Sequence, residues 1–173
     1  LRKTPLKTVD FYVGPTNSGK TYNSLKALMA EYEKNPYGTY VYAGPLRMLA
    51  YEVYEKLVAE YGEENVGFLT GEEQINPDAP LLACTVEMAP LEGTSLVLDE
   101  THWIVDNNRG QHWTNLLVGG EYKHFHILTA EEALDTIQKL VTDSVSNNIH
   151  KFERKTKLTF KGDINLYSIP NRT

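Results

Sequence analysis

Two hydrophobic periods alternate along this chain, and each marks a different kind of element. Val9-Asp10-Phe11-Tyr12-Val13 is a short β-branched and aromatic run that predicts a buried strand, while Tyr22 to Tyr32 sets Leu25, Leu28 and Met29 on one helical face. Thr39-Tyr40-Val41-Tyr42-Ala43 predicts a second strand, and from Leu46 to Tyr61 the residues Leu49, Val53, Leu57 and Val58 keep helical register. Apolar runs at Val66–Leu69, Leu81–Thr85, Ser95–Leu98 and Phe125–Leu128 predict further strands, and Glu131–Val141 a further helix. Asn35-Pro36-Tyr37-Gly38 and Asn76-Pro77-Asp78 read as turns, and no internal repeat is visible. The alternation predicts an α/β domain with a mostly parallel sheet and helices on both faces. Ile149 to Phe160 alternates as a last strand, whereas Lys161 to Thr173 carries Gly, Asn, Pro and Asp without helical pattern. One domain is therefore expected over residues 1–160, with a truncated linker over 161–173.

Between the first strand and the first helix stands Gly14-Pro15-Thr16-Asn17-Ser18-Gly19-Lys20-Thr21, which fits the phosphate-binding pattern G-x-x-x-x-G-K-[ST]. The chemistry explains the spacing. Backbone N–H groups of Asn17 to Thr21 would line a concavity at the positive end of a helix, which suits a polyphosphate. Gly14 and Gly19 let the backbone turn and approach oxygens that a Cβ would block. Lys20 adds a point charge at the outer phosphates, and Thr21 would ligand Mg2+. Gly14, Thr16, Asn17, Ser18, Gly19, Lys20 and Thr21 are thus the candidate nucleotide-binding residues.

Composition narrows the remaining choices. A chain of 173 residues with 41% hydrophobic content is long enough for one core and too short for two ordinary domains. The lone cysteine, Cys84, excludes an internal disulfide and a multi-cysteine zinc site, which suits a reducing compartment such as bacterial cytoplasm or mitochondrial matrix. No run of about 18 apolar residues predicts a membrane span. The first residues, Leu1-Arg2-Lys3-Thr4-Pro5, resemble neither a signal peptide nor a transit segment, and the absence of an initiating Met suggests an excised piece. A net charge of −6 argues against strong electrostatic binding of nucleic acid by the whole surface and leaves room for a local basic strip.

Ser95-Leu96-Val97-Leu98-Asp99-Glu100 is an apolar strand ending in two acids, a Walker B arrangement. Strand ends converge beside the phosphate loop in a doubly wound sheet, so Asp99 can hold Mg2+ there while Glu100 orients or deprotonates the attacking water. Lys20, Asp99 and Glu100 form the candidate catalytic set.

Further segments carry a family resemblance. Gly14 to Thr21 (GPTNSGKT), Pro45 to Leu57 (PLRMLAYEVYEKL), Thr70-Gly71-Glu72-Glu73, Cys84-Thr85-Val86-Glu87-Met88 and Asp99 to Thr114 (DETHWIVDNNRGQHWT) resemble the first RecA-like domain of the mitochondrial degradosome type of superfamily two DExH-box RNA helicase. The resemblance runs in order over nearly the whole chain. It implies a RecA-like P-loop NTPase domain that uses ATP and Mg2+, works on single-stranded RNA or DNA, needs a second RecA-like domain of the same chain, and has a ribonuclease partner. It also implies that Pro45, Arg47, Thr70, Gly71 and Thr85 contact the nucleic-acid backbone, contacts that give grip without sequence choice. A solvated helix start is the alternative for Arg47, and Thr70 and Thr85 equally suit strand-end caps. His102, where such helicases more often carry glutamine, and Thr129 take coupling roles in this reading. A half-buried histidine against Trp103, and a capping box of Thr129 with Glu132, are the local alternatives. Asp106, Arg109, Gly110 and Trp113 read as structural.

Two expected helicase parts are missing from these residues: arginine fingers, and an adenine-reading glutamine within Leu1 to Val13. The fragment alone should therefore hydrolyse ATP very slowly. A two-domain bacterial thymidine kinase is the rival enzyme reading, although its zinc lasso needs cysteines that this chain lacks. An ATP-gated clamp on RNA or protein is the non-motor reading. In every case Lys20→Ala is expected to abolish nucleotide binding by isothermal calorimetry, and unchanged affinity would remove the phosphate-loop assignment.

Overall fold

The computed structural model describes residues 8–15, 18–99, 115–140 and 146–153. Within them β1 (Thr8–Val13), β2 (Tyr40–Gly44), β3 (Val66–Leu69), β4 (Gln74–Ile75), β5 (Leu81–Thr85), β6 (Glu92–Leu98), β7 (Glu121–Thr129) and β8 (Ser146–Lys151) form one sheet in the order β4-β3-β5-β2-β6-β7-β1-β8. Every pairing is parallel except β3 with β4. Helices α1 (Lys20–Lys34), α2 (Arg47–Tyr61), α3 (115–119) and α4 (Leu134–Leu140) connect the strands.

Side chains alternate across the strands and so feed two cores. Val9, Phe11 and Val13 of β1 join Leu96, Leu98, Phe125 and Ile127 on one face, closed by Leu116 and Leu117 of α3 and Ile137 of α4. On the other face Tyr40, Tyr42, Phe68, Val97 and Leu128 meet Leu25, Leu28 and Tyr32 of α1 and Ala50, Val53 and Leu57 of α2. Helices therefore cover both faces, as the alternation of periods predicts. Both faces of the central strands being buried explains why Leu81–Thr85 and Tyr40–Gly44 have no exposed position. Cys84 lies inside, and burial pushes its thiol up to about 12.

Several bounds differ from expectation for local reasons. The last described strand begins at Ser146, ahead of the alternating pattern from Ile149, and lies beside β1 at the edge of the described sheet. Glu131–Ala133 is a 3-10 turn and α4 proper starts at Leu134. The two-residue β4 carries no periodicity long enough to be legible. The expected domain end at residue 160, the linker over 161–173, and the loop residues Asp106, Arg109, Gly110 and Trp113 lie outside the described residues.

One part of the α1 face is not apolar. Asp10 of β1, His124 and His126 of β7, and Glu31 of α1 meet beneath the helix, with His150 of β8 alongside. His124 donates one ring N–H to Asp10 and the other to Glu31 at 2.8 Å. His126 receives the Tyr12 hydroxyl at Nδ1 (3.0 Å) and turns Nε2 to Glu31 (3.1 Å). Burial opposes ionisation of Asp10 and Glu31, but the histidine hydrogen bonds outweigh it and hold both carboxyls well below the usual range. Burial also opposes charge on His124, yet its two carboxylate partners raise it to about 9. For the more deeply buried His126 desolvation wins, and its pKa falls.

Candidate functional site

The phosphate loop begins where β1 stops. Val13 pairs with Thr129 of β7, and the next residue, Gly14, donates its N–H to the Thr129 carbonyl at 3.1 Å. A Cβ on Gly14 would stand 2.6 Å from the Phe152 carbonyl oxygen, so packing at the end of β8 enforces glycine there. Gly19 takes φ +96°, a left-handed conformation that only glycine adopts at little cost, and α1 starts at the next residue. The loop thus ends on the positive end of a helix dipole. Thr16 and Asn17 lie outside the described residues.

Four side chains meet at this loop. Lys20 is buried, with Nζ donating to the Gly14 carbonyl at 2.7 Å and lying 3.5 Å from the Thr129 carbonyl. Thr21 donates its hydroxyl to Asp99 Oδ2 at 3.3 Å, which joins the two halves of the site across a separation of 78 residues. Ser18 Oγ is buried without a hydrogen-bond partner among the described residues. Such an arrangement fits a polyphosphate and a divalent cation. A hydroxyl without a partner among the described residues, a buried ammonium that donates to carbonyl oxygens, and a hydroxyl–carboxylate pair are the donors and acceptors those groups require.

Sequence reasoning missed Tyr42. Its hydroxyl donates to Asp99 Oδ2 at 2.5 Å from the adjacent strand β2, under a carboxylate that is itself 2% exposed. The repeated Tyr40-x-Tyr42 on one strand face was a partial signal, but only the β2–β6 neighbourhood gives it meaning. Glu100 and His102 lie outside the described residues.

The expected nucleic-acid residues occupy the same sheet edge, farther along. Pro45 and Arg47 follow β2, Thr70 and Gly71 follow β3, and Thr85 ends β5. β3, β5 and β2 are successive neighbours, so these residues form one strip. Arg47 is half exposed, pairs with Glu73 at 2.5 Å, and lies over the Phe68 ring at 5.5 Å. Gly71 is open: a Cβ there would meet nothing within 4 Å among the described residues. Thr70 is buried and its hydroxyl accepts the Glu72 and Glu73 N–H groups, closing a turn, while Thr85 donates to Glu87 at 3.0 Å. Thr129 does not cap the next helix: its hydroxyl donates to the Ala130 carbonyl and no side-chain cap forms, whereas its own carbonyl receives Gly14.

Fold and site together define a RecA-like, P-loop nucleotide-binding domain. A helicase domain from Pyrococcus furiosus Hef superposes with a TM-score of 0.60 at 19% identity, over 84% of this chain and 35% of that one, which supports the fold. The chain belongs to the family described as the DEXQ-box helicase domain of Suv3, whose model matches residues 2–152. It is 39% identical over 169 residues to the Candida albicans protein named ATP-dependent RNA helicase SUV3, mitochondrial, covering 91% of this chain and 22% of that one. The Saccharomyces cerevisiae protein of the same name is 39% identical, over 86% of this chain and 20% of its own length. An Arabidopsis thaliana protein named DExH-box ATP-dependent RNA helicase DExH18, mitochondrial, is 36% identical over 80% of this chain and 17% of its own. The chain therefore spans about a fifth of the length of the curated relatives it matches. Its box reads Asp99-Glu100-Thr101-His102, with histidine where the family description has glutamine. No helix among the described residues is long and apolar enough to cross a membrane.

Tyr42→Phe keeps the ring in the core and removes only the hydroxyl on Asp99. A hydrogen bond to a charged group is worth about 1.5–3 kcal/mol. Mg2+-dependent nucleotide binding is expected to weaken by roughly tenfold or more, about 1.4 kcal/mol per decade, with Mg2+-free binding little changed. Equal loss in both titrations would make Tyr42 a packing residue only.

Proposed function

We propose that this chain is the ATP-binding and ATP-hydrolysing first motor domain of an ATP-dependent RNA helicase that translocates on or unwinds RNA. The observation that carries the reading is the meeting of Lys20, the Thr21 hydroxyl and the Asp99 carboxylate at one sheet edge in a member of a helicase-domain family. The choice of RNA is supported by the relatives' names.

Gly14, Thr16, Asn17, Ser18, Gly19 and Lys20 wrap the phosphates, and Lys20 leaves the Gly14 carbonyl to offset charge on the outer oxygens. Thr21 and Asp99 hold Mg2+, with Tyr42 fixing the carboxylate from below. Magnesium, when bound, neutralises charge on the phosphoryl oxygens as the terminal phosphate departs. Glu100 orients the attacking water and takes its proton. Pro45, Arg47, Thr70, Gly71 and Thr85 grip a single strand through its backbone. Coupling falls to His102 and Thr129; the hydrogen bond from Gly14 N–H to the Thr129 carbonyl supports the second assignment.

In this reading the domain covers residues 1–160, and 161–173 lead toward a second RecA-like domain that completes the RNA track and supplies arginine fingers. The isolated domain turns over ATP slowly. A mitochondrial matrix setting is favoured over bacterial cytoplasm by the relatives' names, and a ribonuclease partner follows from the family resemblance alone.

Phosphate release from ATP by the full-length protein, with and without single-stranded RNA, tests the proposal. RNA is expected to raise turnover several-fold, and Glu100→Gln to lower it by roughly 10²–10⁴, the usual contribution of a general base. RNA binding without faster turnover would instead describe a clamp, and thymidine-dependent ATP consumption a kinase.

A further inference from the structure

The polar cluster under α1 lies away from the nucleotide site and has no part in the proposed hydrolysis. It is also an expensive way to fill a core. Buried ion pairs seldom outperform apolar residues of the same volume, and the rest of this face is packed with Leu25, Leu28, Tyr40 and Leu128. Instead, register brings coordinating groups together. Asp10 of β1 is the cross-strand partner of His126 of β7, and His124 is the next residue on the same face of β7. One ligand atom from each of Asp10, His124 and His126 lies within 4.8 Å of the other two. The two imidazole rings stack with their centroids 4.0 Å apart.

We propose that Asp10, His124 and His126 form a binding site for a divalent transition metal ion of the zinc class. Two imidazoles and one carboxylate match the three-protein-ligand sets that zinc accepts, with a fourth position for water. Tetrahedral bonds of about 2.0–2.1 Å put ligand atoms ~3.3 Å apart, so the site closes by small side-chain shifts. The outer groups expected around such ligands are present. Glu31 sits 2.8 Å from His124 Nδ1, the Tyr12 hydroxyl is 3.0 Å from His126 Nδ1, and His150 bonds the Asp10 oxygen Oδ1 at 3.0 Å. Charge also matches, since Asp10 and Glu31 together offset a dication once the imidazoles are neutral. Entry is open through a cavity of about 450 Å³ bordered by Thr8, Glu31, Ser95, Lys123 and His124. Binding displaces the proton between His124 and Asp10 and ties β1, β7 and α1 together.

The test uses Co2+ as a visible probe on the purified full-length protein, with any affinity tag removed and no nucleotide present. One Co2+ per chain with the d–d absorption of a tetrahedral site is expected, displaced by Zn2+. Asp10→Asn and His126→Gln should each weaken Co2+ binding at least tenfold. His124→Gln, at a side chain 24% exposed, serves if the buried changes impair folding, which circular dichroism would report. Asp99→Asn should leave the Co2+ spectrum unchanged. Absence of tetrahedral absorption, absorption that survives replacement of these ligands, or loss of it in Asp99→Asn would overturn the proposal, the last by moving the metal to the phosphate loop.

Discussion

Parallel pairing of β1 with β7 is the interaction on which the site depends. The register sets Val13 against Thr129, so the first residue beyond the strand can only be Gly14, hydrogen bonded to Thr129 and pressed against Phe152 from the other neighbour. Once that point is pinned, Gly19 turns the chain into α1, and α1 delivers Lys20 and Thr21 back over the strand ends. A one-residue slip would exchange the faces of β1, sending Asp10 into an apolar core and Phe11 beneath α1. Because β6 lies next to β7 and runs the same way, Asp99 emerges at the same edge and meets Thr21.

The same parallel rule divides the edge into two neighbouring strips. The ends of β1, β7 and β6 carry the residues proposed to hold the nucleotide, and the ends of β5 and β3 carry Thr85, Thr70 and Gly71. β2 belongs to both. Tyr42 near its end supports Asp99, and Pro45 and Arg47 follow immediately. Tyr42 thus joins Asp99 to the strand whose next three residues enter the strip proposed to hold RNA. Of the residues proposed to grip the strand, Thr85 closes β5 and Arg47 opens α2, whereas Thr70 lies in the turn after β3.

What could be read in the sequence was what local chemistry determines. The phosphate loop is contiguous, its glycines have steric reasons, and Ser95–Leu98 ending in acids needs no neighbour to be recognised. Long apolar runs predicted most strands for the same reason. Beyond the meeting of Thr21 with Asp99 that the two motifs imply, contacts between distant residues were not legible. Tyr42 acquires its role only because β2 pairs with β6, and Asp10 meets His124 across 114 residues. Thr70 and Thr85 illustrate the converse: both stand where a strand-end motif is expected, yet their hydroxyls are engaged in a turn and with Glu87. Thr129, expected in a coupling role, meets the loop through its carbonyl, a group every residue has.

A crystal structure of this domain with Mg2+ and a non-hydrolysable ATP analogue is the most direct test of how the edge works. Lys20 Nζ is expected to have left the Gly14 carbonyl for the analogue's outer phosphate oxygens, with the cation between the Thr21 hydroxyl and the Asp99 carboxylate and Ser18 Oγ engaged by the loop. An analogue bound elsewhere, or one bound here while Lys20 stays on Gly14 and Asp99 stays clear of the cation, would contradict the assignment.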